Sequence, residues 1–341
     1  MFRKYLNTVK HSNYQNKVAQ DINKNFSNIC GKINNCELCN SDDLIFLFNN
    51  DKNGINQKTS YCNKCGFMFL NPRIKNDYLT SFYESEQYRA LVEGVNSKNH
   101  EQELYESVIS ELKIQKPHVF KKPDFNKYYR ELYLDFIYSE IHNFETVLDV
   151  GCGRGEKLKD FNFLGKKVEG IDPSNSFIRG HIKSGLNSKA GQLKDVKKNY
   201  DLVILSHVFE HLDNLTESVN ILAKITNKYL FIEVPGNIKR LQPIQIDHNY
   251  YFSFNTLNHF ILNNQFELIR MNSVSDNDYI LAIYKKINKK NTFYFDKKEE
   301  KKKLKKILIK YYLKSLIIKI LKLFKLDYLL MPIFYKFKNY F

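Results

Sequence analysis

The sequence has no tryptophan, no internal repeat at a fixed period, and no apolar run approaching the ~20 residues that a membrane-spanning helix requires. Its first thirty residues (MFRKYLNTVKHSNYQ…) lack the continuous apolar core of a secretory leader. A chain that works in the cytoplasm is therefore expected, where six cysteines point to metal rather than to a disulfide framework. Tyr and Phe are plentiful, 43% of the residues are hydrophobic, and 341 residues suffice for one large or two modest domains. The abundance of Lys, Asn and Ile reads as a compositional bias of the source genome.

The net charge of +16 is local. From Lys285 to Phe341 there are 18 lysines against Asp296, Glu299, Glu300 and Asp327, so this tail carries most of the excess and the remainder is close to neutral. A nucleic-acid enzyme carries its basic surface beside its active site. Charge gathered at one end argues against that class, and residues 31–75 have no Lys/Arg cluster interleaved with stacking aromatics.

Five segments are expected. Residues 1–30 are polar, with a helix or a loose end; 31–75, dense in Cys, Asn, Asp and Gly, suit a small module held by something other than a core. Residues 76–140 read as helical and as a substrate cap, broken by a loop from Lys116-Pro117 to Lys122-Pro123. Over 141–288 short apolar runs alternate with helical stretches: VLDV (147–150), KVEGID (167–172), DLVILS (201–206) and YLFIEV (229–234), then ELIRMNSV and YILAIYKK. Such alternation predicts an α/β fold, a mostly parallel sheet with helices on both faces. The tail, 289–341, is Lys/Leu/Ile-rich and helical in pattern.

Val147-Leu148-Asp149-Val150-Gly151-Cys152-Gly153-Arg154-Gly155-Glu156 is a buried strand entering a glycine turn that opens a helix, where backbone can approach a ligand closely. Asp172 ends a second strand about twenty residues on, placed to accept from both hydroxyls of a ribose. A dinucleotide fingerprint is G-x-G-x-x-G, but here the third glycine comes one residue early and position 156 is glutamate. Asp149 and Glu156 would repel a pyrophosphate and tolerate a ligand carrying an ammonium and a sulfonium.

These residues, with Tyr200-Asp201-Leu202-Val203-Ile204-Leu205-Ser206-His207-Val208-Phe209-Glu210-His211-Leu212, resemble three motifs of class I S-adenosylmethionine-dependent methyltransferases. The resemblance implies a seven-stranded Rossmann-like sheet. Gly151, Gly153 and Gly155 would line the methionine part, Asp172 would hold the ribose, Gln192 and Leu193 would lie near the adenine, and Asp149 and Ser206 are further expected cofactor-binding residues.

Cys36-x-x-Cys39 and Cys62-x-x-Cys65 are separated by 22 residues, and Gly66 permits the tight turn after the second pair. Two such knuckles can bring four thiolates to one Zn²⁺, a closed and therefore structural site. Cys30 and Cys152 lack a partner pattern and read as structural thiols. The segment CELC…CNKCGFMFLNPRIKNDYLTSFYESEQY resembles the N-terminal zinc module of bacterial methyltransferases of sugar and surface-glycan pathways. With that resemblance, residues 33–285 suit methyl transfer to a sugar, nucleotide-sugar or glycan precursor.

A base is expected beyond the carboxyl ends of the fourth and fifth strands. In the sugar C-methyltransferases a stretch similar to Gln245-Ile246-Asp247-His248-Asn249-Tyr250-Tyr251-Phe252-Ser253 reads Y-H-E-H-L-S-Y-F-S, and its second His is a base. On that match His248 is the base, Asp247 replaces Glu, and Gln245 and Ile246 replace Tyr and the first His. The departures favour deprotonating a hydroxyl or amine over C-methylation. His207, at the end of the fourth strand, is the other candidate, while Glu210 and His211 suit structural or cofactor-loop roles. In the tail, Ile309, Leu313, Leu316, Ile320 and Leu323 follow helical spacing with Lys310, Lys314 and Lys325 largely opposite. That pattern fits either an anionic membrane surface or a helix packed on the protein.

Overall fold

The computed structural model describes residues 12–51, 53–75, 78, 81–82, 85–88, 91, 100–113, 132–236, 245–274 and 279–323. The expected loop at 116–123, most of the 76–99 helical stretch and the tail beyond Leu323 lie outside the described residues.

In chain order, α1 (Asn13–Ile29) leads into β1 (Cys30–Gly31), β2 (Leu44–Phe48), β3 (Thr59–Cys62), β4 (Met68–Leu70) and β5 (Arg73–Ile74). After α2 (His100–Leu112) and α3 (Leu132–Tyr138) come β6 (Thr146–Val150), α4 (Glu156–Phe163), β7 (Lys167–Asp172), α5 (Asn175–Lys183), β8 (Ser188–Ala190), β9 (Tyr200–Ser206), α6 (Leu215–Ile225) and β10 (Thr226–Pro235). The last elements are β11 (Tyr250–Tyr251), α7 (Phe254–Leu262), β12 (Phe266–Val274), β13 (Tyr279–Lys286) and α8 (Lys297–Leu323).

The main sheet has seven strands in the order β12-β13-β10-β9-β6-β7-β8. β6, β7, β8, β9 and β10 pair in parallel, and β13 runs antiparallel to both β10 and β12. The expected mostly parallel, Rossmann-like sheet is therefore present. The chain reverses strand order at β6: β7 and β8 lie on one side, β9 and β10 on the other. A cleft opens at the carboxyl ends of strands where such a reversal occurs.

The central strands are apolar because both faces are covered. On one face Leu148, Val203, Leu205, Leu230 and Ile232 pack with α6 and α7, and on the other Val147, Leu202, Ile204 and Phe231 meet α3 through Phe136 and Ile137. β8 is short and half-exposed (SKA), which is why no apolar run announces it.

A second, four-stranded sheet (β11-β4-β3-β2) carries the cysteine pairs. Its outer strand β11 comes from the far end of the chain, pairing Tyr250 with Phe69 and Tyr251 with Met68. The cysteine module and the main sheet share one core: Cys36, Leu38, Cys62, Cys65, Phe67 and Phe69 belong to the same buried cluster as Phe209, Phe252 and Leu257. Phe67 is the hinge of this packing, with ring centroids 5.7 Å from Tyr250, 6.0 Å from Phe252 and 5.4 Å from Phe260.

The first turns of α8 pack on the module, burying Leu304 with Phe48, Tyr61, Met68 and Leu70. Farther along, Ile309, Tyr312, Leu313 and Leu316 are exposed. Among the described residues no helix is long and apolar enough to cross a membrane.

Because Phe67 is fully buried at the seam, Phe67→Ala should cost about 3–5 kcal/mol in denaturant unfolding. Circular dichroism gives the readout, and a loss below about 1 kcal/mol would show that the seam does not bear stability.

Candidate active site

β6 delivers the chain into the turn Gly151–Gly155, where all three glycines take left-handed φ (+66°, +50° and +83°). At two of them a side chain is also sterically excluded: a Cβ on Gly151 would stand 2.4 Å from Val208 Cγ2, and one on Gly155 2.7 Å from His181 Nε2. The turn ends with Gly155 as the N-cap of α4. Asp172, at the end of β7, is fixed by backbone: the Gly153 N–H donates to its Oδ2 at 2.9 Å and the Ser174 N–H to its Oδ1 at 2.8 Å.

A cavity of about 610 Å³ opens beside this turn, a volume that suits a cofactor-sized molecule. Asp149, Gly151, Gly153, Asp172, Gln192, Leu193, Ser206 and His207 all line it. Gly155 does not: it sits against His181 and shapes the helix start instead. Sequence reasoning missed the opposite wall, which Asp213, Asn214, Glu217, Ser218 and Ile221 build from the start of α6, together with Tyr88 and Glu233. Nothing in the local sequence around α6 or Tyr88 distinguishes these residues from an ordinary helix start or surface.

The cavity is rich in carboxylates. Burial above all pushes the Asp149 carboxyl up to about 7; Lys157 opposes this, and Asp172 and Glu156 reinforce it. A cationic ligand group beside Asp149 would return the charge that burial removes.

At the other end, the Ser206 hydroxyl donates to Glu233 Oε2. His207 holds a left-handed backbone (φ +56°), rare for a side-chain-bearing residue. Its ring places Nε2 3.7 Å from Glu233 Oε1 and Nδ1 3.5 Å from Glu210 Oε1, and meets Tyr279 edge-on at 5.2 Å. Burial works to lower the His207 pKa, but Glu210 and Glu233 outweigh it and the net shift is upward. Glu210 is wholly buried. Burial opposes its charge, yet His207, His211 and His248 hold its carboxyl down at about 2.

His211 also lines the cavity, and its Nδ1 donates to the Asp247 carbonyl at 2.7 Å. His248 lies one ring behind, edge-on to His211 with centroids 4.7 Å apart. Burial lowers the His248 pKa, with Asp247 opposing. The two candidate bases are thus shifted in opposite directions, His207 upward by its carboxylate neighbours and His248 downward by burial. Ile246, which stands where the sugar C-methyltransferases carry their first His, is buried against Val18, Ala19 and Ile22 and faces away from this chemistry.

The sulfurs of Cys36, Cys39, Cys62 and Cys65 lie within 4.8 Å of one another, with Cys36–Cys65 at 3.6 Å and Cys39–Cys62 at 3.5 Å. A tetrahedral Zn²⁺ with Zn–S near 2.3 Å sets sulfurs about 3.8 Å apart, so the cluster fits such an ion. Each knuckle closes with a tight backbone turn, Asn40 N–H to Cys36 O at 2.7 Å and Gly66 N–H to Cys62 O at 2.8 Å. None of the four lines the cavity. Cys30 and Cys152 are buried and form no disulfide, and Cys152, within the glycine turn, lines the cavity.

Residues 122–272 match a family model described as a methyltransferase domain. That segment holds the glycine turn and most of the sheet, and the fold is the Rossmann-like α/β arrangement of methyltransferases. Two curated ubiquinone biosynthesis O-methyltransferases are similar to the chain. The one from Bradyrhizobium sp. (strain ORS 278) is 31% identical over 77 residues, 20% of this chain and 30% of that protein. The one from Nitrobacter winogradskyi is 31% identical over 74 residues, 19% and 28% respectively. The chain therefore spans less than a third of the length of these curated relatives. Among solved structures, magnesium protoporphyrin IX methyltransferase from Synechocystis PCC 6803 is 16% identical, covering 62% of this chain and 100% of that one, with a TM-score of 0.41. A SAM-dependent methyltransferase from Methanosarcina mazei is 15% identical, covering 48% and 100%, with a TM-score of 0.38.

The raised Asp149 pKa has a defined linkage sign. Between the ordinary aspartate value of 3.8 and about 7 the folded protein holds a proton that the unfolded chain releases, so stability falls as pH rises through this window. Asp149→Asn removes that loss. The ligand-free variant should gain in melting temperature over the parent more at about pH 8 than at about pH 5; an equal gain at both would contradict the assignment.

Proposed function

We propose that the protein is an S-adenosylmethionine-dependent methyltransferase acting on an oxygen of a hydroxylated acceptor, with a sugar, nucleotide-sugar or surface-glycan precursor as the favoured class. The observation that carries the cofactor reading is Asp149, a buried carboxylate without full charge compensation beside the glycine turn. Glu156, at the helix N-terminus where a pyrophosphate would sit, argues against a nicotinamide dinucleotide. When bound, the cofactor supplies a methyl group already activated on a sulfonium. The chain's own residues then have to bind, align and deprotonate.

In this reading Asp172 accepts from the ribose hydroxyls, Gln192 and Leu193 flank the adenine, and Asp149 faces the ammonium. Glu233 and His207, whose pKa its carboxylate neighbours raise, orient the acceptor at the cavity end that Ser206 also lines. His248 is the candidate base; because it lies behind His211, the acceptor proton would first meet the His211 ring, which lines the cavity, and His248 would receive it only through that ring. Burial of Ile246 supports a hydroxyl acceptor over a carbon one, because the first imidazole of the C-methylation motif is missing. The names of the two curated relatives also support oxygen as the acceptor atom, and they favour a second acceptor reading, a precursor in ubiquinone biosynthesis.

Zn²⁺ on Cys36, Cys39, Cys62 and Cys65 is proposed as a closed structural site. The exposed Ile309, Tyr312, Leu313 and Leu316 of α8, on a lysine-rich helix, support a peripheral contact with an anionic membrane surface. Such a contact would place the enzyme where glycan intermediates carry lipid.

Calorimetric titration of the zinc-loaded protein with S-adenosylmethionine, and with NAD⁺ as control, tests the central reading. Micromolar binding of the first, lost in Asp172→Ala, is expected; binding of NAD⁺ alone would replace the reading with a dehydrogenase. For the membrane contact, the full chain should cosediment with phosphatidylserine-containing vesicles at low salt, and a Leu313→Glu/Leu316→Glu variant should not. Equal sedimentation of the two proteins would remove the proposal.

A further inference from the structure

The residue between the first two cysteines reaches the cavity wall. Glu37 lies inside the knuckle Cys36-Glu37-Leu38-Cys39, yet its carboxylate extends to the start of α6. Its Oε1 accepts from the backbone N–H of Leu215 at 2.5 Å and of Thr216 at 3.3 Å. Those are two of the N–H groups that a helix start leaves unpaired, and an anionic acceptor there also meets the positive end of the helix dipole. The local cap of α6 is Asn214, which accepts from Glu217 N–H at 3.0 Å and cannot serve the first two amides as well. Glu37 therefore completes a cap that α6 does not supply from its own sequence.

Its other oxygen meets the Tyr250 hydroxyl. That hydroxyl also lies 2.8 Å from the Asp213 carbonyl and accepts from Arg73 Nη1 at 2.5 Å. Arg73 in turn stands 4.0 Å from Glu37 and 3.9 Å from Asp213. Glu37, Tyr250 and Arg73 thus grip the backbone from Asp213 to Thr216 from outside the cavity. Asp213, Asn214 and Glu217 form the cavity wall from inside.

We propose that Glu37 is a positioning residue for the cofactor cavity: the cysteine module, through this one carboxylate, sets the start of α6 in the place that binding requires. The inference rests on the cofactor reading above. It gives the module a part in ligand affinity in addition to its part in stability. The link runs both ways, because whatever loosens the Cys36–Cys39 knuckle also releases the α6 start.

The test uses the full, zinc-loaded chain with Glu37→Ala, Glu37→Gln and Tyr250→Phe. Each is measured for zinc per chain, for S-adenosylmethionine and S-adenosylhomocysteine affinity by calorimetry, and for amide hydrogen exchange at Leu215 and Thr216. Expected are one zinc per chain in every variant and about a five- to tenfold weaker affinity for both ligands in Glu37→Ala. Tyr250→Phe should show about a threefold loss. Faster exchange at the two amides should accompany the loss. Glu37→Gln, whose amide oxygen still accepts from Leu215, should recover most of the affinity.

Unchanged affinity in Glu37→Ala with zinc intact would overturn the proposal. So would a loss of zinc in step with affinity, with no rescue by glutamine, because Glu37 would then act only within the knuckle. If Glu37→Ala does not fold, Tyr250→Phe decides alone: wild-type affinity with wild-type exchange overturns the link. Failure of the parent protein to bind either ligand would instead defeat the cofactor reading and is visible before any variant is compared.

Discussion

The segment Asp247–Phe252 is the tie on which the rest of the structure depends. It follows β10 and, within six residues, reaches the loop after β9, the cysteine module and the sheet core. The Asp247 carbonyl accepts from His211, and the Asn249 side chain donates to the carbonyls of His211 and Leu212 at 3.0 and 3.1 Å. The Asn249 N–H reaches the Glu210 carbonyl and the Leu70 N–H reaches the Asn249 carbonyl. Tyr250 and Phe252 then fill the seam against Phe67 and Phe209. Leu70, Glu210, Asp247 and Asn249 are buried and His211 and Leu212 half-buried, and a buried backbone group left unpaired would cost about 1–3 kcal/mol. Module and sheet are therefore held together by polar satisfaction as well as by aromatic burial.

A consequence is that the active-site loop does not hold itself in place. Its 3₁₀ turn, Phe209–His211, has no side-chain cap. Glu210 and His211 share hydrogen bonds with a segment some forty residues later in the chain, and the α6 start is met by Glu37 of the first knuckle as well as by its own cap Asn214 and by Tyr250. This arrangement places two electrostatic environments side by side. Around the glycine turn carboxylates crowd together and burial raises Asp149; around His207 imidazoles surround Glu210 and hold its charge. The cavity thus lies between a crowd of carboxylates at the glycine turn and a cluster in which His207, His211 and His248 stand around the buried Glu210.

The strands and the glycine turn were legible in the sequence because their signals are local. VLDV, KVEGID, DLVILS and YLFIEV are apolar runs of strand length, and each lies within or coincides with a strand of the main sheet. The glycines at 151, 153 and 155, placed between a strand and a helix, mark a turn where backbone can approach a ligand, and all three prove left-handed. The cysteine spacing was legible for the same reason, since two short knuckles need little else to bring four sulfurs together. What escaped was long-range. β11 is two residues long and is a strand only because Phe69 and Met68 offer it an edge. β8 is too short and polar to show an apolar pattern. The capping role of Glu37 depends on a residue 178 positions away, and nothing in C-E-L-C indicates it. In the tail, the packed reading holds for the first turns, where Leu304 is buried on the module, while Ile309 and Leu313 farther along are exposed.

The two histidines that the sequence offered as bases are separated by their surroundings and not by their distance from the chemistry. His207 is the nearer, lining the cavity beside Ser206, but it stands between Glu210 and Glu233, and a base already biased toward its protonated form is a poor acceptor of a further proton. Its left-handed backbone is a cost that surrounding structure has to sustain, and here the His207 N–H donates to the Glu233 carbonyl at 2.9 Å. That backbone holds the His207 ring between Glu210 and Glu233, whose carboxylates draw its pKa upward. His248 is removed by one ring, and burial draws its pKa downward with Asp247 opposing. These opposite surroundings, rather than proximity, are what the proposed reading uses to give orientation to His207 and proton removal to His248.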